Sequence, residues 1–247
     1  MEELVAVWLG GLDGETWWEQ DADEPAYAAS LVKVPLATAA QGLDLTRRVL
    51  VHADFASADP SSADRFTIAR DDDQDDATWD AVGEHESLAE LRRRAIVDSS
   101  NIATNLLLEQ VGVAAVQDVL RAAGVSDRTT ITRGIGDLAA RDAGLANQVT
   151  ARDLGRVLAH TPPEVEEVML GQRHRAGIPA GLPPGTPVAN KTGWVDGIAH
   201  DMAIVRPTAE QGGAPFALVV LTRTDDAHEV AETRIAALAA EAWERRS

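Results

Sequence analysis

Only two lysines occur among the 247 residues, Lys33 and Lys191, and each falls in a run whose residue types suit acyl transfer. Ser30-Leu31-Val32-Lys33 places a hydroxyl and an ammonium three residues apart, on one face if the segment is helical. A serine hydroxyl is a weak nucleophile until a neighbour takes its proton. A lysine can do so once burial or a second cation lowers its pKa. A helix N-terminus at the same place would favour developing negative charge.

Two further runs add to this chemistry. Ser99-Ser100-Asn101 immediately precedes a helical pattern that carries Asn105-Leu106-Leu107-Leu108. Lys191-Thr192-Gly193 lies in a strand pattern, followed by Trp194. A lysine on a sheet edge beside the nucleophile would supply a positive field for an anionic substrate. Glycine there would let backbone approach the strand closely. Asn190-Lys191-Thr192 also spells a glycosylation sequon, but a catalytic edge strand accounts for the same residues.

These residues need elements to position them. Val5–Leu9 and residues 15–19 read as strands joined at Asp13-Gly14, with Trp17 and Trp18 packing in the core or on an edge. Residues 28–41 read as a helix starting near Ser30, since Pro35 is tolerated only in a first turn. Ser87 and Glu90 form a capping-box pattern opening a helix to about Val97. Further helices are expected over 101–111, 113–123, 150–159, 164–169 and 229–245, and strands over 188–195, 201–205 and 216–222. Residues 55–80 read as a solvated acidic loop, including Asp71-Asp72-Asp73-Gln74-Asp75-Asp76. A calcium loop from Asp71 would need glycine sixth and glutamate twelfth, where Asp76 and Val82 stand.

The fold class expected is therefore α+β, an α/β sandwich with a five-stranded antiparallel sheet from both chain ends and a helical subdomain inserted. As domains, this reads as one unit over 1–247, an α/β subdomain of 1–45 plus 185–247 and a helical subdomain of 46–184. Net charge is −18, from 22 Lys+Arg against 40 Asp+Glu, which disfavours nucleic acid and anionic membrane as partners. The absence of cysteine excludes disulfides and thiolate chemistry. No apolar run reaches membrane-helix length, and the acidic start lacks a secretory pattern. As written the protein is expected in the cytoplasm, or outside it if a leader has been removed, and as a monomer. None of the six histidines has ligand spacing, and His200, opening a strand beside the site, is the one worth testing.

S-x-x-K, S-x-N and K-T-G in this order resemble the motif set of class A β-lactamases and penicillin-binding proteins. Tyr27-Ala28-Ala29-Ser30, the Ser99–Leu108 segment and His200–Val205 are similar to the family's flanking segments, so the resemblance spans about residues 4–244. It implies the β-lactamase/transpeptidase-like fold and a serine hydrolase working through an acyl-enzyme. Ser30 would be acylated, and Lys33 would be its base or part of a proton relay. Ser99 would pass a proton to the leaving nitrogen. Asn101 would bind the substrate's side-chain amide. Lys191 and Thr192 would hold its carboxylate, and the Ser30 and Trp194 N–H groups would form the oxyanion hole. The substrate would be a small molecule or peptide with an amide, β-lactam or ester carbonyl, and neither metal nor cofactor is implied.

Three departures matter. Ser100 replaces the central Asp of S-D-N, which is mainly structural in the family. Trp194 stands where members often carry a small residue, and should reshape one side of the cleft. The family's loop Glu, which activates the deacylating water, falls near residues 134–137 by spacing, and no Glu occurs between Glu109 and Glu164. Asp137 and Asp142 are the nearby carboxylates, and either would be a shorter substitute. Acylation with slow β-lactam turnover is expected, with a D-Ala-D-Ala-type peptidase or esterase, or a non-hydrolytic penicillin-binding sensor, as alternatives.

Overall fold

A computed structural model describes residues 3–246. β1 (Leu4–Gly11) and β2 (Thr16–Gln20) form the opening hairpin. β3 (Ala26–Tyr27) leads into a 3-10 turn, Ala29–Val32, which runs straight into α1 (Lys33–Ala39). Next come β4 (Arg48–Leu50), β5 (Asp54–Ala56), β6 (Arg65–Thr67), α2 (Asp76–Asp80) and β7 (His85–Ser87). The helices α3 (Leu88–Val97), α4 (Asn101–Val111) and α5 (Val113–Ala122) follow. Then come α6 (Leu138–Asp142), β8 (Gln148–Val149), α7 (Ala151–Ala159) and α8 (Pro163–Leu170). β9 (Val188–Val195), β10 (Ile198–Val205), β11 (Phe216–Arg223) and α9 (His228–Arg245) complete the chain.

Contacts divide the chain into two compact units. The first takes residues up to Leu31, Leu120–Thr129 and all from Gln148 onward. It holds one antiparallel sheet in the order β2-β1-β11-β10-β9, so the chain ends meet where β1 pairs with β11. β11 is central and reads Phe-Ala-Leu-Val-Val-Leu-Thr-Arg, with every residue but the last buried, as a strand covered on both faces requires. α7 covers one face, where Gly155 lets it approach the Trp8 ring so closely that a Cβ would lie 2.3 Å from it. α9 covers the other with Ala231, Ile235, Ala239, Ala242 and Trp243, against Val7, Leu9, Leu218 and Val220. Trp17 and Trp18 are half-buried at this second face. The expected subdomains placed α7 and α8 among the inserted helices. They pack instead on the sheet, because the buried stripe of α7 meets β1 and β11, and α8 meets β9.

The second unit takes Val32–Val119 and Thr130–Asn147. α1, α3 and α4 pack on one another, with Ile102 through Leu107 of α4 all buried. Ser87 caps α3 by accepting from the Glu90 N–H at 3.2 Å, whereas the Glu90 carboxylate turns to Arg93 and Arg94. Residues 55–80 are more ordered than their composition suggested. β5 and β6 pair as a hairpin, and Asp75 caps α2 by accepting from the Ala77 and Thr78 N–H groups. Among the described residues, no helix is long and apolar enough to cross a membrane.

Candidate active site

In the first unit Ser30 sits, partly exposed, in the turn before α1, where the Leu31 N–H donates to Ala28 O at 3.0 Å. Ala29 has φ +44°, a left-handed conformation costly for a residue with a Cβ, directly before the serine. The turn backs onto β9. A Cβ at Gly193 would lie 3.0 Å from the Ser30 nitrogen and 3.2 Å from Ala29 Cβ, so a side chain there would force the serine turn to give by a few tenths of an ångström. Lys191 pairs with Met202 and Gly193 with His200, which puts both on the face that Ser30 approaches. Lys191 is fully buried and its ammonium donates to Thr192 O at 2.8 Å. Burial drives its pKa down to about 7, against the opposing pull of the Asp201 charge.

Thr192 pairs with Asp201 and turns to the opposite face, where its hydroxyl is buried with no hydrogen-bond partner among the described residues. Asp201 is fully buried and accepts from Ile178 N at 2.8 Å and Asn190 Nδ2 at 3.1 Å. Burial pushes its carboxyl up to about 7 despite these donors. Asn190, the sequon residue, is fully buried in this network, which closes it to glycosylation. Trp194 is half-buried between His174, at 4.7 Å between ring centroids, and His228, at 5.8 Å.

His200 accepts from the Thr222 N–H at Nδ1, so its proton sits on Nε2, which donates to Tyr27 O at 3.0 Å. The ring thus pins β10 to the segment three residues before Ser30. Burial lowers its pKa to about 4, so it is neutral at pH 7.

The second unit gathers Lys33, Ser99 and Asn101. Lys33 is fully buried, and its Nζ donates to Ser99 O at 2.6 Å, Ser99 Oγ at 3.1 Å and Asn101 Oδ1 at 2.8 Å. These acceptors match the three N–H bonds of an ammonium. Ser99 has φ +61°, and this left-handed turn accompanies the bond from its carbonyl to the lysine. The Asn101 amide is held at its other end, where Nδ2 donates to Asp72 O at 2.6 Å. Ser100 is the N-cap of α4 and accepts from Ala103 N at 3.0 Å. Asp73 accepts from Ser100 Oγ and Ile102 N. The acidic run is therefore not merely solvated, as its composition led us to expect. It supplies the bonds that fasten this helix start.

Asp137 takes part in none of the bonds above. It is fully buried and accepts from Ser57 Oγ at 2.8 Å, Ala58 N at 2.7 Å and Ala140 N at 3.1 Å, the last as the cap of α6. In the same loop, Asn105 of α4 clamps Ile135 by both backbone groups, accepting from its N–H and donating to its carbonyl, each at 2.9 Å. Asp142 is exposed and pairs with Arg141. Sequence reading missed Asp73, Asn105 and the Asn190–Asp201 pair. Asn105 alone carried a signal, as a polar residue within the apolar stretch of α4.

The fold is shared with solved structures. The L2 structure complexed with relebactam is 23% identical, with TM-score 0.79, covering 98% of this chain and 91% of that one. A β-lactamase from Desulfarculus baarsii is 26% identical, with TM-score 0.76, covering 97% and 91%. PBP-A, solved in a variant form as an acyl-enzyme complex with penicillin-G, is 19% identical, with TM-score 0.76, covering 98% and 91%. No curated protein sequence matches the chain. Residues 2–245 match the β-lactamase enzyme family, and on that match over nearly its whole length the chain belongs to this family.

Proposed function

We propose that this member of the family is a serine hydrolase that acylates readily and deacylates slowly. The observation that carries the reading is the convergence of Lys33 on Ser99 and Asn101, three residues along the chain from Ser30. In the reaction Lys33 first gives up one of the three protons it donates, and as the amine takes the Ser30 proton while Oγ bonds to the substrate carbonyl carbon. The Ser30 and Trp194 N–H groups receive the oxyanion. As the C–N bond breaks, the proton passes from Lys33 through the Ser99 hydroxyl to the leaving nitrogen. Asn101 holds the acyl side-chain amide, and Lys191 holds a carboxylate, while Thr192, turned to the opposite face, takes no part in that contact.

Hydrolysis of the ester then needs a base for water. The loop position clamped by Asn105 is Ile135, which cannot take a proton. Asp137 is engaged by three donors, an environment that fixes it as a loop anchor. A β-lactam should therefore persist on Ser30, which also suits a peptidase or esterase whose natural acyl group leaves by another route.

Intact-mass spectrometry after exposure to benzylpenicillin tests the proposal. A stable adduct of one penicillin is expected on the wild type and none on Ser30→Ala. A Lys33→Ala variant that acylates at the wild-type rate would remove lysine as the base. No adduct, with no turnover of simple esters, would defeat the enzymatic reading.

A further inference from the structure

We propose that Asp73 is a positioning residue for acylation, returning from a distant loop the carboxylate that Ser100 removed from the S-D-N motif. The inference rests on the reaction proposed above. α4 begins at Asn101, and its first backbone N–H groups have no partner within the helix. Ser100 Oγ takes the Ala103 N–H, and in turn donates to Asp73 Oδ2 at 3.1 Å. The same oxygen accepts the Ile102 N–H at 2.6 Å. One carboxylate, 27 residues earlier than Ser100, thus closes the cap as an Asp at the motif's centre would. Its other oxygen accepts from Asp75 N at 2.8 Å, so the loop cannot slide without breaking the cap.

The consequence falls on Asn101. The carbonyl just before Asp73, Asp72 O, accepts a hydrogen bond from Asn101 Nδ2 at 2.6 Å and leaves Oδ1 to Lys33. Asp73 therefore sets which way the Asn101 amide points. Releasing it frees that amide to rotate, which harms a substrate that uses Asn101 more than one that does not, because Lys33 keeps its two bonds to Ser99. A general loss of packing would slow both alike.

The test is the rate of Ser30 adduct formation with benzylpenicillin, which has a side-chain amide, and with 6-aminopenicillanic acid, which lacks it. Asp73→Ala should slow the first about tenfold, as loss of a charged helix cap would, and the second less than about twofold. Ser100→Asp added to Asp73→Ala should restore most of the benzylpenicillin rate. Asp73→Asn keeps the side chain's shape and an acceptor, and serves where the alanine variant fails to fold. It should show the same selective loss, to a smaller degree. Equal slowing of both substrates, or no slowing, or no rescue, overturns the assignment of Asp73. A wild type that forms no adduct overturns the reaction itself, and the positioning role with it.

Discussion

The two units hold their candidate residues by different physics. Ser30 and the Lys191–Trp194 strand are held by sheet register and steric fit: paired strands, a buried histidine strut and a glycine whose neighbours leave a methyl group little room. Lys33, Ser99 and Asn101 are held by a polar chain that runs from an ammonium through an amide to the backbone and carboxylate of an acidic loop. A steric mount fails by displacement. A polar mount fails one bond at a time, and a bond can be moved to another residue, as Ser100 and Asp73 illustrate. The first unit is therefore where substitutions should do most harm.

The largest effect should come from the strut. His200 has its folded pKa near 4 and an unfolded value near 6.5. Between these values the unfolded chain binds the proton and the folded chain does not. Stability present above pH 6.5 is thus lost as pH falls toward 4, by about 3 kcal/mol over the window. Urea unfolding at pH 7 and pH 4.5 should show this acid loss reduced in His200→Gln, although that variant is less stable at pH 7. Equal acid losses in the two proteins would remove His200 as the strut.

Gly193→Ala should come next. The added methyl group would meet the Ser30 nitrogen at 3.0 Å and push the serine turn away from β9. Displacement of a reacting group by a fraction of an ångström to 1 Å costs up to about 100-fold in rate. Benzylpenicillin acylation should fall by that order with the fold retained, as circular dichroism would report. Unchanged acylation would mean that the close approach is not what positions Ser30.

The second unit can be broken in the opposite direction, by adding a function. Ile135→Glu places a carboxylate at the position that Asn105 clamps, and should shorten the life of the penicillin adduct by about tenfold or more, as a general base would. Acylation itself should change little. An adduct equally long-lived in the variant would show that something other than a missing base limits deacylation.

The contrast between the units also explains what could be read from the sequence. β1 and β11 announce themselves as apolar runs, and their pairing follows from few ways to bury them. The Gly193 approach was legible as a glycine in a strand. Polar mounts leave no such periodic trace. Asp73 looks like the four other aspartates of an acidic run until the fold brings it to α4. Asn105 stood out only as a polar residue among leucines. Asp137 lay in the expected segment, yet nothing in its sequence neighbourhood revealed that Ser57, 80 residues away, would fill its carboxylate. The division of the helices went astray for a related reason, since α7 is amphipathic whichever unit it covers.

The smallest effect concerns Lys191, whose charge rather than its position changes with pH. Burial lowers this lysine to about 7, so it loses its charge near neutrality although its position does not change. If it holds a substrate carboxylate, acylation efficiency measured at low substrate reports the free enzyme, and should fall as pH rises through about 7, by about fivefold between pH 7 and 8. An uncharged ester should show no such limb. Asp201 raises the Lys191 pKa through its charge, so Asp201→Asn should move the fall to lower pH. An anionic substrate whose efficiency stays flat through this range would show that the Lys191 charge is not what receives the carboxylate, and would leave the strand with a purely steric part in the reaction.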